Sequence, residues 1–462
     1  MNHLYCCLCY GLLHSLLWLP CLQVTAAEPE LTDPSLSQYQ VYADVKTTFF
    51  TDLRPRDNAI RNEISEVLTR LGIRYNRLFM QDWFFDSDVR VIFACDDIVN
   101  PGTNLCDQQL EIKRLYIRTD RLFELPFLAL TVGRTKMRDQ RAWLYDDDID
   151  VISGRYDSTL LDLEVGLARY LLNTQFFGDA LLDADQNNAI DASDSQYAYA
   201  SAEYQWYYRH FIRMQLVYED FDNPNQQVIA NPNESDDIND NSQLTWWVLS
   251  FNGQYKPQSA PVLDYWLDLA TVRGQRELRL NGQRIRQKVT GNVGLDLGFI
   301  IWFNQQQAAL GFQFAHASGD GALDTNYTGY LQAQIATNKN RRIGHLQQRY
   351  YGETLDPLLS NLNIISVYGG TRLFERLWLH LNYYHYRQSQ ADPFFQAANT
   401  RFAPNGRSKS IGQALDFALS AEITPDSRVE WILGVFDAGH AFDGISAGKT
   451  AYSGRLEFKA RW

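Results

Sequence analysis

Apolar and polar residues alternate with a period of two along most of the chain. Residues 377–386, LWLHLNYYHY, place Leu377, Leu379, Leu381 and Tyr383 on one face and Trp378, His380, Asn382 and Tyr384 on the other. Residues 161–172, 291–303, 309–318 and 429–439 alternate in a similar way. Clusters of Gly, Asn, Asp and Pro separate these segments, with long ones at 219–243 and 388–409. The pattern predicts many β-strands in one domain, with no convincing helix.

A soluble β-sandwich also alternates, but it seldom needs so many strands. A transmembrane barrel has alternating segments of ~10 residues, short turns at one rim, longer loops at the other and aromatic girdles. Closing the sheet satisfies every backbone polar group inside lipid. Dividing roughly 435 residues by about 24 per strand and connection predicts about 18 strands. We therefore expect an all-β chain, with residues 28–462 forming one antiparallel transmembrane barrel.

Residues 1–27 differ from the rest of the chain. The apolar block GLLHSLLWLPCL is followed by QVTAA, a small-residue cleavage signal. This pattern predicts a secretory signal peptide, although Lys and Arg are absent from its start. A lipoprotein anchor at Cys21 is the alternative, but Pro20 stands where a small residue is required. After the predicted leader the sequence contains no run of 18 apolar residues, so it predicts no membrane-spanning helix.

Four of the six cysteines lie in the predicted leader, which leaves Cys95 and Cys106 around the turn-rich sequence DDIVNPGTNL. In an exported protein such a pair predicts a disulfide. Two unpaired thiols are the alternative.

The end of the chain, YSGRLEFKARW, predicts the last strand of the barrel. Leu456, Phe458 and Ala460 would face lipid, and the charged residues at 455, 457, 459 and 461 would face the lumen. The chain stops at the aromatic Trp462.

The formal charge of −13 is concentrated in two segments. Residues 179–194 carry five Asp, residues 219–240 carry seven acidic residues, and neither contains Lys or Arg. Within the first, Asp183, Asp185, Asn187 and Asp194 occupy positions 1, 3, 5 and 12 of a calcium loop. Asn188 replaces the usual Gly, so we expect a solvated acidic loop and no cofactor, with a structural Ca²⁺ as the alternative.

Catalysis has little support in the sequence. His316, Ser318 and Asp320 lie on one strand or its end, where their spacing alone makes no relay. No pair of histidines has metal-ligand spacing. The three adjacent acids in WLYDDDID could suggest a carboxylate cluster, but adjacent acids in a loop are usually solvated or form salt bridges, here with Arg138 and Arg141. We therefore expect that the chain is not an enzyme.

Several motifs resemble the alginate export family of outer-membrane barrels, in the same order along nearly the whole chain. The motifs are DVK at 44–46, LTVGRTKMRDQRAWLYDDDIDVISGRY at 130–156, AHASGDG at 315–321, RYYGETLDPLLSNLNIISVYGG at 349–370, and IGQALDFALSAEI with LGVFDAGHAF at 411–442. Thr135 replaces a family Gln, and Asp437 and Ala438 stand where the family has a Pro.

The resemblance implies an outer-membrane pore for an anionic exopolysaccharide, with alginate as the expected polymer. A general or small-anion porin is the alternative. It also implies a lumen lined by arginines with acids beside them. The corresponding residues are Lys46, Arg74, Arg114, Arg134, Arg138, Asp146, Arg342 or Arg349, and Glu457. Glu430 or Ile432 stands where the family has one further lumen arginine.

Fixed cations along a water-filled pore would carry a polyuronate, since arginine matches a carboxylate and keeps its charge. The basic stretches 273–288 and 337–349 are further candidates. Their alternatives are solvated loops or a strip facing lipopolysaccharide phosphates. Expected partners are the polysaccharide, lipopolysaccharide with outer-membrane lipid, and periplasmic secretion components. We expect the barrel to be a monomer and to bind no nucleic acid.

Overall fold

The structure of the chain is a computed structural model. It describes residues 37–462 except 52, 54–62, 80–81, 99–104, 172–174, 177–194, 223–238, 258–260, 281–282, 304–306, 321–324, 394–398, 401 and 444–449. The predicted signal peptide and the predicted calcium loop lie outside the described residues.

Eighteen antiparallel strands form a closed barrel, which confirms the predicted fold class and strand number. They are β1 Gln38–Thr51, β2 Glu63–Phe79, β3 Trp83–Ile98, β4 Leu105–Thr119, β5 Leu128–Arg138, β6 Asp146–Asp157, β7 Leu161–Arg169, β8 Gln196–Tyr207, β9 His210–Asp222, β10 Asn239–Tyr255, β11 Val262–Leu280, β12 Gly294–Phe303, β13 Ala308–Ala317, β14 Leu362–Phe374, β15 Leu377–Gln388, β16 Ser410–Thr424, β17 Ser427–Ala438 and β18 Thr450–Arg461.

Five short strands accompany these eighteen. Three of them join the same sheet, Gln175–Phe176, Gln283–Val289 and Asn326–Tyr327, and the other two pair with each other in a separate sheet, Lys339–Arg341 and Gln347–Arg349. Two 3₁₀ turns complete the described elements, Leu122–Glu124 and His440–Phe442. In the described part of the chain, no helix is both long and apolar enough to cross a membrane.

The barrel closes where β1 pairs with both β2 and β18. The last residue takes part, because the backbone N–H of Trp462 donates to the carbonyl of Val41 at 2.8 Å. Trp462 therefore ends the seam of the barrel, and its side chain stays exposed.

The two rims differ as the sequence predicts. One rim is where β1 begins and β18 ends. Short connections such as 208–209, 375–376 and 425–426 join strands at this rim. Longer connections, up to residues 318–361, lie at the other rim. Since such barrels place short turns in the periplasm, the long-loop rim faces the cell exterior.

The outer face carries the apolar band of a membrane barrel. Exposed aliphatic side chains cover its middle, among them Leu71, Val165, Leu167, Leu310 and Leu381. Exposed aromatic residues cluster near the short-turn rim, at Tyr39, Phe127, Tyr156, Trp206, Tyr207, Tyr255, Phe303, Phe374 and Trp462. This girdle marks the boundary between lipid and water.

The last strand has the predicted orientation. Arg455, Glu457 and Lys459 form salt bridges inside the barrel, with partners on β17, β18 and an inner segment. Leu456 and Phe458 point to the opposite face. The charges on β18 therefore line the lumen.

The β5–β6 hairpin leaves the wall part-way up. Pairing of β4 with β5 ends at Leu115–Arg134, and pairing of β6 with β7 ends at Asp150–Arg169. Above these points β5 and β6 pair only with each other, up to Arg138–Asp146. We call residues 134–150 the tongue. The edge of β4 that it vacates is taken by the short strand Gln175–Phe176.

On one face of the hairpin, the residues change from apolar to charged where the tongue leaves the wall. On the outer face of β5, Leu130 and Val132 are followed by Arg134 and then by Lys136. On β6 the same face changes from Ile152 to aspartates at 150, 148 and 146. Below the bend these positions meet lipid, and above it they meet polar surroundings inside the barrel. The charges would be untenable on a lipid-facing strand.

Inside the barrel the tongue packs on residues 325–361, which we call the inner segment. Two backbone bonds join them, from the Asp146 N–H to Ile335 at 2.7 Å and from the Asn338 N–H to Ala142 at 2.9 Å. Trp143, Tyr330 and Tyr351 belong to one buried apolar cluster with side chains of the wall. This core packs the tongue and the inner segment against wall strands between β7 and β18, and none of its members lies on β1–β4.

Cys95 and Cys106 face each other on β3 and β4 as register partners, and their sulfur atoms are bonded. Their Cα atoms are 4.1 Å apart. The bond joins the two strands at the long-loop rim.

Candidate functional site: a cationic path through the lumen

Arg141 anchors the tip of the tongue to the far wall. Its guanidinium forms salt bridges with Asp268 on β11 and Asp296 on β12, the latter at 3.0 Å. It also lies over the rings of Trp266 and Tyr350, at 4.5 and 5.1 Å from their centroids. A charge with two carboxylates and two aromatic faces is held firmly, and the tongue is held with it.

A hydrogen-bond chain continues from this anchor. Trp143 Nε1 donates to the Tyr351 hydroxyl, which donates to Asp296 Oδ2, both at 2.7 Å. Asp296 therefore receives bonds from the tongue and from the inner segment. The buried carboxylate of Asp296 thus joins the wall, the tongue and the inner segment.

Arg342 fixes the inner segment to β13 and β14. Its carbon Cζ lies 4.4 Å from the ring centroid of Tyr350 and 4.5 Å from that of Tyr368. It donates to the Tyr350 carbonyl at 2.8 Å and to the side chain of Gln313. Only 9% of the residue is exposed, so it contributes packing rather than a surface to the path.

Cations occupy successive inward-facing rows of the wall from β18 to β4. Arg455 lies opposite Thr48, Lys46 opposite Glu457, and Lys459 and Arg70 opposite Asp44. The next rows hold Arg90, opposite Gly72, and then Arg74 and Arg114, opposite Asp88. Rows two residues apart lie about 7 Å apart along a strand. Five rows span roughly 28 Å, comparable to the apolar height of such a barrel.

Except in Arg90–Glu111, where the side chains are 16% and 17% exposed, the cation of an ion pair along this wall is more exposed than its carboxylate. The side chain of Arg74 is 32% exposed and that of its partner Asp86 is 0% exposed. Lys459 is 27% exposed against 7% for Glu457. The same order holds for Lys46–Glu66, Arg70–Asp44, Arg428–Glu430 and Arg349–Asp356. The acids thus hold the cations from behind, and the open lumen meets positive groups.

The tongue presents the same arrangement from the opposite side of the path. Lys136 is 33% exposed and lies 2.9 Å from Asp146, which is 6% exposed. Arg138 lies 3.5 Å from the same carboxylate and donates to the Lys339 carbonyl at 2.8 Å. Asp148 interacts electrostatically with Arg90 on β3. We call the space between the tongue and strands β2–β4 the candidate path.

The inner segment adds a charged cluster near β18. Glu353 lies 3.6 Å from Arg455 and 3.9 Å from Arg349. Burial raises the pKa of Glu353, but these two cations outweigh it, so the pKa lies below its usual value. Burial, together with the nearby charge of Arg455, lowers the pKa of Lys339 to about 7. Lys339 is thus the cation of this cluster that titrates near neutral pH.

The predicted residues fall into two groups. Lys46, Arg74, Arg114, Arg138 and Arg349 lie along the path. Arg134 is buried with Asp150 where the tongue leaves the wall, at 3.5 Å. Arg342 is buried behind the inner segment. The predicted acids Asp146 and Glu457 are buried beneath Lys136 and Lys459. A role for these residues in conduction stays a prediction.

Sequence reasoning missed Arg70, Arg90 and Lys136. Period two from Arg74 would have found Arg70, since both lie on the inward face of β2. The acids of WLYDDDID pair with Arg138 as proposed, but Arg141 pairs instead with Asp268 and Asp296. The basic stretch 273–288 lies at the long-loop rim, where Arg286 is largely exposed and Arg276 packs on Tyr327.

Within the described ranges, no three His, Cys, Asp or Glu side chains come together as a metal site would require. The four residues of the predicted calcium loop are not among those ranges, so a structural Ca²⁺ there stays an alternative.

The sequence model of a family described as alginate export matches residues 50–454. The chain belongs to the alginate export family. Two relatives named alginate production protein AlgE are each 24% identical to it. The Pseudomonas aeruginosa relative aligns over 334 residues, 70% of this chain and 65% of its own length. The Pseudomonas syringae relative aligns over 276 residues, 57% and 52%. The chain thus spans less than two thirds of either relative.

Two solved structures share the fold of this alginate export family member. OpdL and OpdQ of Pseudomonas aeruginosa superpose with a TM-score of 0.53 at 11% and 10% identity. They cover 92% of this chain and 98% and 99% of their own. The family match and the closed barrel place the chain in the bacterial outer membrane. The family is described by export, not by catalysis.

Proposed function

We propose that this chain is an export pore for an anionic exopolysaccharide, alginate, and that the polymer passes between the tongue and the wall. One observation carries the proposal: in all but one of the ion pairs along the path, the cation is more exposed than the carboxylate that holds it. A polymer with a carboxylate on each sugar would meet positive groups on successive rows. Family membership and the two AlgE relatives support alginate as the polymer.

The pairing also explains how the polymer could move on. An unpaired arginine would hold a carboxylate tightly, and a chain of such sites would stall transport. A buried acid behind each cation weakens its hold on the passing carboxylate. Shallow binding at many successive sites is what conduction of a long polyanion requires.

The path has no cofactor in this proposal, and transport is passive. Polymer synthesis and periplasmic secretion components would supply the drive and deliver the polymer to the short-turn rim. The barrel acts as a monomer because its lumen alone contains the path.

Planar bilayers containing the purified protein test the proposal. We expect anion-selective conductance that polyuronate blocks when added on the short-turn side, while neutral dextran of the same length leaves it open. A small-anion porin would be anion-selective but indifferent to polyuronate. Cation selectivity would contradict both functions.

A further inference from the structure

A groove of about 370 Å³ lies on the outer side of the wall at β13–β15, away from the lumen. Phe314, Ile365, His385 and Arg387 contribute outward-facing side chains to it. Ser389 and Lys409 border it from the two ends of the connection between β15 and β16. Asn363 and Gln388 complete its lining.

The rows of the sheet fix the height of this groove. From the middle of the membrane outward, successive rows across β13, β14 and β15 are Leu310–Gly369–Leu381, Phe312–Val367–Tyr383, Phe314–Ile365–His385 and His316–Asn363–Arg387. The lower two rows are apolar except for the hydroxyl of Tyr383, as lipid requires. The groove occupies the upper two rows, where acyl chains give way to lipid head groups.

The groove has an apolar floor and a cationic rim. Ile365 faces outward and is 41% exposed, so no described part of the protein covers it. On the rim, the Lys409 ammonium donates to the Ser389 carbonyl at 2.5 Å. The Asn363 amide donates to the Ser389 hydroxyl at 3.0 Å. These bonds hold the rim in place and leave Lys409 with further N–H groups to donate.

The charge of the rim is uncompensated. Among the described residues, neither Arg387 nor Lys409 forms a salt bridge with a carboxylate, unlike the cations of the lumen. Across the sheet from His385, the next residues are Gln413 and then Asp437, so the carboxylate of that row is two strands away. An unpaired arginine and lysine at this height attract a lipid anion.

We propose that this groove binds the phosphorylated head group of an outer-leaflet glycolipid, lipopolysaccharide. The guanidinium of Arg387 and the ammonium of Lys409 take the phosphate, since arginine's planar fork fits its oxygens. An acyl chain lies over Phe314 and Ile365. The ligand reaches the site from the membrane, so the site is independent of the export path and of the proposed function.

Native mass spectrometry of the delipidated full chain in detergent tests this site. The chain is titrated with lipid A carrying two phosphates, with the same lipid after dephosphorylation, and with inorganic phosphate. We expect lipid A to bind about 10-fold or more tightly than its dephosphorylated form. The variant Arg387→Ala/Lys409→Ala should lose that difference. The control Arg372→Ala/Arg376→Ala removes two exposed arginines at the opposite rim and should keep it.

Equal binding of the dephosphorylated lipid, or an unchanged preference in Arg387→Ala/Lys409→Ala, overturns the proposal. Inorganic phosphate that displaces lipid A at equal concentration would also overturn it, because the site would then recognise a free anion. The double variant should conduct like the wild type, which shows that it folds. If it does not fold, the comparison of the two lipids on the wild-type chain still decides.

Discussion

Gly133 lies against the backbone of Leu115 at the point where the tongue leaves the wall. Its φ is +120°, and a Cβ atom there would collide with the Leu115 carbonyl oxygen and lie 2.9 Å from Cα of Tyr116. Only glycine permits this approach in this conformation. The close contact between β4 and β5 thus lets the hairpin turn inward just above it.

Replacing this glycine should disturb the bend. Gly133→Ala adds backbone strain of about 1–3 kcal/mol and a collision with β4. We expect a lower denaturation temperature in heat-modifiability gels and an altered single-channel conductance. Gly154→Ala is the control on the same hairpin, since a Cβ atom there meets nothing within 4 Å. If the two variants behave alike, Gly133 does not set the bend.

Removing the anchor of the tongue should be costly. Arg141→Ala leaves Asp268 and Asp296 without their cation, and breaking a buried pair typically costs about 3–5 kcal/mol. The freed tongue should also give a larger and noisier conductance in single-channel recordings. Arg118→Ala breaks an exposed pair with Asp120 and should cost about 0–1 kcal/mol. Equal stability and equal noise in the two variants would show that Arg141 does not hold the tongue.

The strand number, the outward band and the orientation of β18 were predictable, because period-two alternation is a local property of the sequence. The change from Val132 to Arg134 on one face of β5 was also present in the sequence. Its meaning depends on where β4 and β7 stop pairing with the hairpin, and one strand alone does not contain that information. The partners of Arg141 follow it by 127 and 155 residues, so only the fold brings them together.

The family resemblance identified some of the cations inside the barrel but did not separate exposed from buried ones. Arg134 and Arg138 lie four residues apart in one motif, yet Arg134 is buried and Arg138 borders the path. The difference comes from packing at the root of the tongue, where Tyr170 and Leu171 lie against Arg134 and Asp150. Such contacts between distant segments leave no mark in the spacing.

Anion selectivity should depend on pH through Lys339. Because burial lowers the pKa of this group to about 7, it is mostly charged at pH 6 and mostly neutral at pH 8. Reversal potentials in a salt gradient should therefore show weaker anion selectivity at pH 8. Lys339→Gln should flatten the dependence at the lower selectivity. His345→Gln, at an exposed residue of the same inner segment, is the control, and a dependence lost there instead would exclude Lys339 as the cause.

The exposed cations should set the selectivity. In water, one unit charge at about 10 Å changes the energy of a passing ion by about 0.4 kcal/mol, or roughly twofold in its partition. Lys136→Gln and Lys459→Gln should each lower the anion-to-cation permeability ratio at low salt, with additive effects on a logarithmic scale. The double variant Arg372→Gln/Arg376→Gln, at the short-turn rim, should change it little. A ratio that depends equally on both sets would place the selectivity outside the proposed path.

Block by the polymer tests the central claim most directly. The residence time of a polyuronate oligomer is measured in single-channel current for the wild type and for Lys46→Gln/Lys136→Gln/Lys459→Gln. Three cations lost from the path should shorten the residence time about eightfold, at twofold for each charge. Arg372→Gln/Arg376→Gln should leave it unchanged. An unchanged residence time in the triple variant would contradict a path between the tongue and the wall.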